Sequence, residues 1–326
     1  MTNLGSIGLS ESDFPLHFRI VNVLPATLVT ITPACLLLSG APTQSPSLDL
    51  LLDRARNYGW VGAVGATIFI AIASLLLQPL EFASVRFMEG YWSRSGFMGG
   101  AAELGSWIQR RRRGRHKWIS RSTLPPGMVE DSRQRLREDW PFSGEVRPTA
   151  LGNRMLAFES KAGFGLGIEA IAFWSRLYYV LPEPALKIID SHRDQLDFAC
   201  RICMALALCS CSSLALLLQY PIWMLVPALF AAGSWAAYRA SLAAAANYGV
   251  VVTSAIDVFR LRLIKEMGLA LPVDTDAERS IHENLTQLWS GGLNSKKIKL
   301  TNAITDQDFG IRVDHRQAST SDEDPA

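Results

Sequence analysis

The densest group of ionisable side chains in the sequence is a basic segment flanked by Trp107 and Trp118. It consists of Arg110, Arg111, Arg112, Arg113, Arg115 and Lys117. Basic side chains beside aromatic ones suit the anionic head groups of a membrane surface, where each Lys or Arg contributes about 1 kcal/mol. Basic residues also bind the phosphates of nucleic acids, and a solvated segment without a partner is a third interpretation. We favour anionic lipid over nucleic acid, because a formal net charge of +2 gives the chain no general attraction for nucleic acid.

The motifs that would indicate catalysis or metal binding are incomplete. Cys200 and Cys203 have the spacing of metal ligands, but no second pair of Cys or His residues matches them, and a structural zinc site needs four ligands. His192-Arg-Asp194 resembles a kinase catalytic loop without the glycine-rich loop, the paired Lys or the Asp-Phe-Gly that belong to it. The glycines of Gly163-Phe-Gly-Leu-Gly167 lack the preceding strand of a nucleotide-binding loop. We therefore predict a non-enzymatic protein with no cofactor and no metal site.

Four apolar stretches determine how the rest of the chain is arranged. They are Ile20–Ser39, Trp60–Leu80, Ile202–Leu218 and Ile222–Ala237. None of these stretches contains Asp, Glu, Lys or Arg. A helix of about 20 apolar residues crosses the roughly 30 Å hydrocarbon core of a bilayer. The predicted fold class is all-α, with four transmembrane helices in two hairpins and a helical cytoplasmic domain built partly from extensions of those helices. The uncharged spans also argue against an ion or proton pump, because such pumps place ionisable residues inside the membrane.

The charge of the loops predicts the orientation of the spans, because Lys and Arg accumulate on the cytoplasmic side. The long segment between the second and third stretches contains the basic cluster, whereas Ala41–Tyr58 has only Arg54 and Arg56. The turn at Gln219-Tyr-Pro221 has no charge. With four spans, this pattern places both termini and the central segment in the cytoplasm.

The same patterns divide the chain into six segments. Beyond Ala237 the fourth stretch continues without proline to about Met267, and Gly268 followed by Pro272 is a helix-end signal. We expect this helix to extend into the cytoplasm as a stalk, followed by an amphipathic helix at Glu278–Trp289 and a polar tail. The predicted segments are a cytoplasmic N-terminus (1–19), transmembrane hairpin 1 (20–80), a cytoplasmic helical segment (81–197), transmembrane hairpin 2 (198–240), a cytoplasmic helical stalk (241–294) and a disordered tail (295–326).

Several short motifs follow one another between Leu76 and Leu271. They are Leu76-Leu-Gln-Pro-Leu80, Glu89-Gly-Tyr-Trp92, Pro148-Thr-Ala-Leu-Gly-Asn153, Gly167-Ile-Glu-Ala170, Trp174-Ser-Arg-Leu177, Leu181-Pro182, Leu196-Asp197, Tyr248-Gly249, Asp257, Arg260 and Gly268-Leu269. Their order and spacing resemble a family of uncharacterised bacterial four-span integral membrane proteins, of actinobacterial and cyanobacterial type. Ser175 stands where that family usually has Pro, and Glu169 where it usually has Asp. The resemblance implies a multi-pass protein of the bacterial inner membrane and brings no activity with it.

The resemblance also indicates that the central cytoplasmic segment is more than a linker. Leu151-Gly-Asn153 looks like a turn entering a helix, with Asn153 as its cap. Trp174 and Arg176 are of the residue types that anchor interfaces. We predict an interaction surface that includes Asn153, Trp174 and Arg176. The alternative is that Trp174 belongs to the core and that Arg176 reaches lipid head groups.

Two functions are compatible with this pattern. The first is an oligomeric membrane anchor or signalling scaffold, whose cytoplasmic domain binds a partner protein and whose spans bind the lipid bilayer and further copies of the chain. The alternative is an oligomeric channel for ions or small solutes, gated by the cytoplasmic helices. Its pore would be lined by hydroxyl side chains of the spans, namely Thr27, Thr30, Thr32, Ser210, Ser212 and Ser213.

Overall fold

The computed structural model describes residues 14–77, 80–93, 95–142, 144–289 and 300. Over these ranges the chain forms α-helices and two short 3-10 helices, with no β-strand, which confirms the predicted all-α class. The α-helices are α1 (Phe14–Leu38), α2 (Leu48–Leu77), α3 (Leu80–Met88), α4 (Gly96–Ser120), α5 (Pro126–Asp139), α6 (Ala150–Lys161), α7 (Ala170–Val180), α8 (Glu183–Leu217), α9 (Leu225–Glu266) and α10 (Thr275–Trp289). The predicted disordered tail, and residues 1–13 of the predicted cytoplasmic N-terminus, lie outside the described residues apart from residue 300.

The chain divides into two compact units. The first unit contains the described parts of Met1–Lys161 and Lys187–Val251, which include α1 to α6 and most of α8 and α9. The second unit contains Ala162–Leu186 and the described residues from Val252 onward, which include α7, the last turns of α9 and α10.

The apolar helices of the first unit are arranged as two hairpins. In one hairpin α1 packs against α2. The α2 helix is interrupted at Gly59, whose φ of 53° lies in the left-handed region that glycine adopts without strain. In the other hairpin the Ser234 hydroxyl of α9 donates to the Cys203 carbonyl of α8 at 3.0 Å. A Cβ atom on Gly233 would lie 3.2 Å from Leu206, so the two helices approach closely at this glycine.

The connections of both hairpins lie at the same end of the first unit. Arg54 of α2 donates from Nη1 to the carbonyl oxygens of Leu37 and Leu38, at 3.1 and 3.2 Å, and so satisfies the C-terminal carbonyls of α1. Tyr220, in the α8–α9 turn, donates to the carbonyl oxygen of Pro42 at 3.0 Å. The two turns are therefore neighbours.

Among the described residues, two helical runs are long and apolar enough to cross a membrane. They are Glu183–Leu217 and Pro221–Glu266, by length and composition alone, while Leu24–Leu38 and Val64–Ala73 are shorter apolar segments. The predicted number of four spans is therefore not confirmed. The α2 helix is interrupted at Gly59, directly before the predicted stretch Trp60–Leu80. In the most apolar segments of the two long runs, only 33% and 28% of the residues are buried, so most of these residues face outward.

A second layer of the first unit packs beside these helices. Leu151 of α6, Met88 of α3 and Cys200 of α8 belong to one buried apolar cluster. Gly152 makes the contact between α3 and α6 possible, because a Cβ atom at this position would overlap the carbonyl oxygen of Glu89. The Tyr238 hydroxyl of α9 accepts hydrogen bonds from the first amides of α6, those of Ala150 and Leu151, at 3.2 and 3.4 Å.

The second unit has its own core. Phe173 and Leu177 of α7 are buried, and the Phe173 ring meets the buried imidazole of His282 of α10 edge to face at 5.3 Å. Arg260 of α9 donates to the Glu278 carboxylate of α10 at 2.6 Å. The helix-end signal at Gly268 is confirmed, because α9 ends at Glu266 and Gly268 has a φ of 72°.

Candidate functional site

The predicted basic segment lies on α4, where six cations in eight consecutive helical positions surround the helix axis. Arg113 donates to the carbonyl oxygen of Pro141 at 2.9 Å and so ties α4 to the loop after α5. The guanidinium of Arg111 lies 5.5 Å from the ring centre of Trp107. Arg110, Arg111, Arg112, Arg115 and Lys117 are exposed. Contact of these cations with anionic lipid stays a prediction.

Arg110 also lines a cleft of about 380 Å³ in the first unit, here called the α4 cleft. A volume of this order is in the range of sites for small molecules. The cleft is lined by Gly90, Tyr91, Trp92, Gly99, Ala102, Glu103, Ser106, Arg110, Glu145, Val146, Arg147 and Pro148.

One face of α4 forms the floor of the cleft. Gly99, Ala102 and Ser106 recur at a spacing of three and four residues, which places them on the same side of the helix. Their small side chains leave space above the helix. The neighbouring Gly105 allows the opposite wall to approach, because a Cβ atom there would lie 2.7 Å from the carbonyl oxygen of Pro148.

Arg147 and two aromatic residues form a fixed wall of the cleft. Arg147 donates from Nη2 to the Tyr91 hydroxyl at 2.8 Å, and its guanidinium carbon lies 4.4 Å from the centre of the Tyr91 ring. Trp92 donates from Nε1 to the carbonyl oxygen of Phe87 at 2.6 Å and stacks on the Phe87 ring at 5.2 Å. These bonds hold the wall in place without any ligand.

Asn153 fixes the backbone that carries Arg147. Its Oδ1 accepts the amide of Arg147 at 2.7 Å, and its Nδ2 donates to the carbonyl oxygens of Arg147 and Thr149 at 2.8 and 2.7 Å. Asn153 is buried, with 1% of its surface exposed. The structure therefore places this residue of the predicted interaction surface inside the first unit, where it positions the cleft wall.

The charges that line the cleft are balanced, with the cations of Arg110 and Arg147 and the carboxylates of Glu103 and Glu145. Close to Arg147 lies the half-buried Glu159. Burial raises the pKa of the Glu159 carboxyl group, and the positive charge of Arg147 opposes this rise. Its Oε2 atom is buried without a hydrogen-bond partner among the described residues.

Glu89 is also half-buried and, like Glu159, lies close to the positive charge of Arg147. Burial raises the pKa of its carboxyl group, while the nearby positive charge of Arg147 lowers it and the negative charge of Asp197 raises it further. The described residues contain no group of three His, Cys, Asp or Glu that could hold a metal ion. The cleft lining thus contains two cations and two carboxylates.

The other two residues of the predicted interaction surface lie on α7, in the second unit. Arg176 donates from Nη1 to the carbonyl oxygen of Ala172 at 2.8 Å, and its guanidinium lies 4.2 Å from a ring centre of Trp289. Trp174 is half-buried and meets the ring of Tyr178 at 6.2 Å. The three predicted residues therefore do not share one unit.

The hydroxyl groups proposed to line a channel bond to carbonyl groups of the apolar helices. Thr30 donates to Ala26 at 2.9 Å, Ser213 donates to Cys209 at 2.6 Å, and Ser210 of α8 donates to Pro227 of α9 at 2.9 Å. These hydroxyl protons are used inside the first unit. Among the described residues, no observation favours the channel hypothesis.

Arg147 and Tyr91 were not predicted to be site residues. Both belong to or adjoin motifs of the family resemblance, since Tyr91 lies in Glu89-Gly-Tyr-Trp92 and Arg147 precedes Pro148. Residues of both motifs line the α4 cleft, so membership of these motifs is the sequence signal that could have pointed to the two residues.

Comparison of the chain with protein-family models, with curated proteins and with solved structures found no match. The bacterial four-span family stays a prediction from the motifs.

Proposed function

We propose that this chain is a four-span integral protein of the bacterial inner membrane, and that it serves without catalysis as an oligomeric anchor for a cytoplasmic protein-interaction domain. Both termini and the central segment lie in the cytoplasm in this proposal.

Exposed apolar residues on the long helices of the first unit support the membrane location. Trp60 and Phe69 of α2, Leu214 of α8 and Leu229 of α9 all expose large apolar side chains. Contiguous apolar surface of this kind is avoided by soluble monomers and is stable in lipid. In α9 the guanidinium of Arg239 lies 6.0 Å from the ring centre of Trp235. This pair of residue types suits the boundary between membrane and water, at the end of the span that lies away from the turns.

The observation that supports an interaction domain is that α7 has apolar side chains both on its buried face and on its exposed face. Phe173 and Leu177 are buried in the core of the second unit. Ile171 and Tyr179, eight residues apart and therefore on one face, are 64% and 88% exposed. An apolar face left open beside a completed core is typical of a surface that binds another protein.

A photo-crosslinking amino acid at position 179, introduced into the full-length protein in living cells, tests this function. We expect a specific adduct with a protein, either a second copy or a partner, and we expect Ile171→Asp to suppress it. The matched control is the same amino acid at Arg135, an exposed position of α5 in the first unit, where no adduct is expected. Absence of an adduct at 179, or an identical adduct pattern at 179 and 135, would contradict the proposal.

A further inference from the structure

We propose that the α4 cleft binds a small zwitterion in which a phosphate group is joined to a primary ammonium group, as in phosphoethanolamine. Arg110 and Arg147 bind the phosphate, and Glu103 and Glu145 bind the ammonium. The same chemistry is offered by the free compound and by the head group of phosphatidylethanolamine. This inference goes beyond the proposed anchor function, and its test rests only on the proposed membrane location.

The balance of charge in the cleft selects a zwitterion. Two guanidinium and two carboxylate side chains line the same space. A simple anion would be attracted by the arginines and repelled by the glutamates, and a simple cation would meet the opposite pattern. A ligand that carries both charges satisfies all four side chains. Phosphate and carboxylate both match the planar fork of guanidinium donors, and a phosphate monoester carries close to two negative charges, about one for each of the two arginines.

The wall that would bind the phosphate is already organised. The Arg147 side chain is held by the hydroxyl and the ring of Tyr91, and its backbone is held on both sides by the amide of Asn153. A preorganised cation loses little conformational entropy on binding.

The size of the cleft limits the ligand to a compact one. The floor of Gly99, Ala102 and Ser106 leaves about 380 Å³, a volume near the lower end of ligand sites. A larger side chain at any floor position fills this space without altering a charge. Such a variant separates occupation of the cleft from general electrostatic attraction by the basic α4.

The test uses calorimetric titration of the full-length protein in phosphatidylglycerol nanodiscs. The probes are phosphoethanolamine, inorganic phosphate and ethanolamine. We expect phosphoethanolamine to bind at least about tenfold more tightly than either of the other two, because each of these leaves one pair of side chains unpaired. Equal affinity for inorganic phosphate, or no binding of phosphoethanolamine, would overturn the proposal.

Three variants locate the binding. Arg110→Gln and Ala102→Leu are each expected to weaken phosphoethanolamine binding by about tenfold or more. Arg115→Gln, which removes an exposed cation of the same helix outside the cleft lining, is the matched control and leaves the affinity within about twofold. An unchanged melting temperature without ligand shows that each variant is folded. Equal losses in Arg110→Gln and Arg115→Gln would overturn the site, because they would indicate attraction by the whole basic segment.

The lipid composition of the nanodiscs identifies the source of the ligand. If the lipid head group occupies the cleft, nanodiscs that contain phosphatidylethanolamine abolish titration by free phosphoethanolamine. If the free compound is the ligand, its affinity is the same in both kinds of nanodisc. Either result supports recognition of the zwitterion, provided that binding occurs in phosphatidylglycerol and is lost in Arg110→Gln.

Discussion

The hydroxyl group of Tyr220 donates a hydrogen bond of 3.0 Å to the carbonyl oxygen of Pro42, which lies 178 residues earlier in the chain. Tyr220 belongs to the turn between α8 and α9, and Pro42 to the connection between α1 and α2. Both connections are short and poor in charge compared with the segment that carries α4. A single hydrogen bond thus joins the two connections that the proposed topology places outside the cytoplasm.

The bond between the two turns contributes to stability. We expect Tyr220→Phe to lower the free energy of unfolding by about 1 kcal/mol, because the Pro42 carbonyl loses its donor. The control is Tyr58→Phe, which removes the hydroxyl of an exposed tyrosine at the same end of α2. Chemical denaturation of both variants in detergent measures the difference. Equal stability of the two variants would contradict a contribution from the turn contact.

Gly152 is expected to tolerate no larger side chain. Gly152→Ala should cost about 1–3 kcal/mol, because the added Cβ atom meets the backbone carbonyl of Glu89 and forces α6 away from α3. Gly114→Ala is the control, since no atom lies within 4 Å of a Cβ atom at that position of α4. The control should be neutral or slightly stabilising. Thermal unfolding compares the stability of the two variants. A loss of stability in Gly114→Ala as large as that in Gly152→Ala would contradict this account.

Asn153 is expected to act on both stability and the α4 cleft. Asn153→Ala leaves the backbone amide and carbonyl groups of Arg147 without their partners, which should cost about 1–3 kcal/mol. The affinity for phosphoethanolamine should fall together with stability, because Arg147 is no longer held in position. Asn247→Ala, at an exposed position of α9, should change neither quantity. A destabilised Asn153→Ala protein that retains full affinity would show that Asn153 does not position the cleft wall.

The buried carboxyl group of Glu159 predicts a specific dependence of stability on pH. Burial raises its pKa in the folded state, so the folded protein binds this proton more tightly than the unfolded chain does. Its contribution to stability is complete below the pKa of an unfolded glutamate and is lost as the pH rises through the raised value. We expect Glu159→Gln to raise the melting temperature near pH 8 by a few degrees and to have a smaller effect near pH 5.

Glu138→Gln is the control for this pH effect, because Glu138 is exposed on α5 and is expected to change little at either pH. A melting temperature of Glu159→Gln that falls at pH 8 would mean that the ionised carboxylate stabilises the fold.

The sequence was sufficient to predict features that depend on local chemistry. Gly268 was predicted to mark the end of a helix, and α9 ends at Glu266 while Gly268 has a φ of 72°. The amphipathic spacing at the end of the chain predicted α10, and its Leu285 is fully buried. Such features follow from the spacing of apolar residues and from the conformational freedom of glycine.

The α4 cleft could not be predicted in this way. It forms because the loop before α6 approaches α4 at Gly105, so that Arg147 meets Tyr91 across 56 residues of sequence. No periodicity encodes that approach. Asn153 was predicted to cap a helix and to belong to an interaction surface, but it lies inside α6 and its polar atoms bond to the loop before that helix. The predicted number of four spans is not confirmed, because two of the described helical runs are long and apolar enough to cross a membrane.

Cysteine labelling in intact cells tests the four-span topology most directly. In a variant without its five native cysteines, Thr43→Cys probes the α1–α2 connection and Glu130→Cys probes α5, and both positions are exposed. The reagent is a maleimide that crosses the bacterial outer membrane but not the inner one. The account predicts that Thr43→Cys is labelled in intact cells and that Glu130→Cys is labelled only after lysis. Labelling of Glu130→Cys in intact cells would contradict it, because the central segment would then lie outside the cytoplasm.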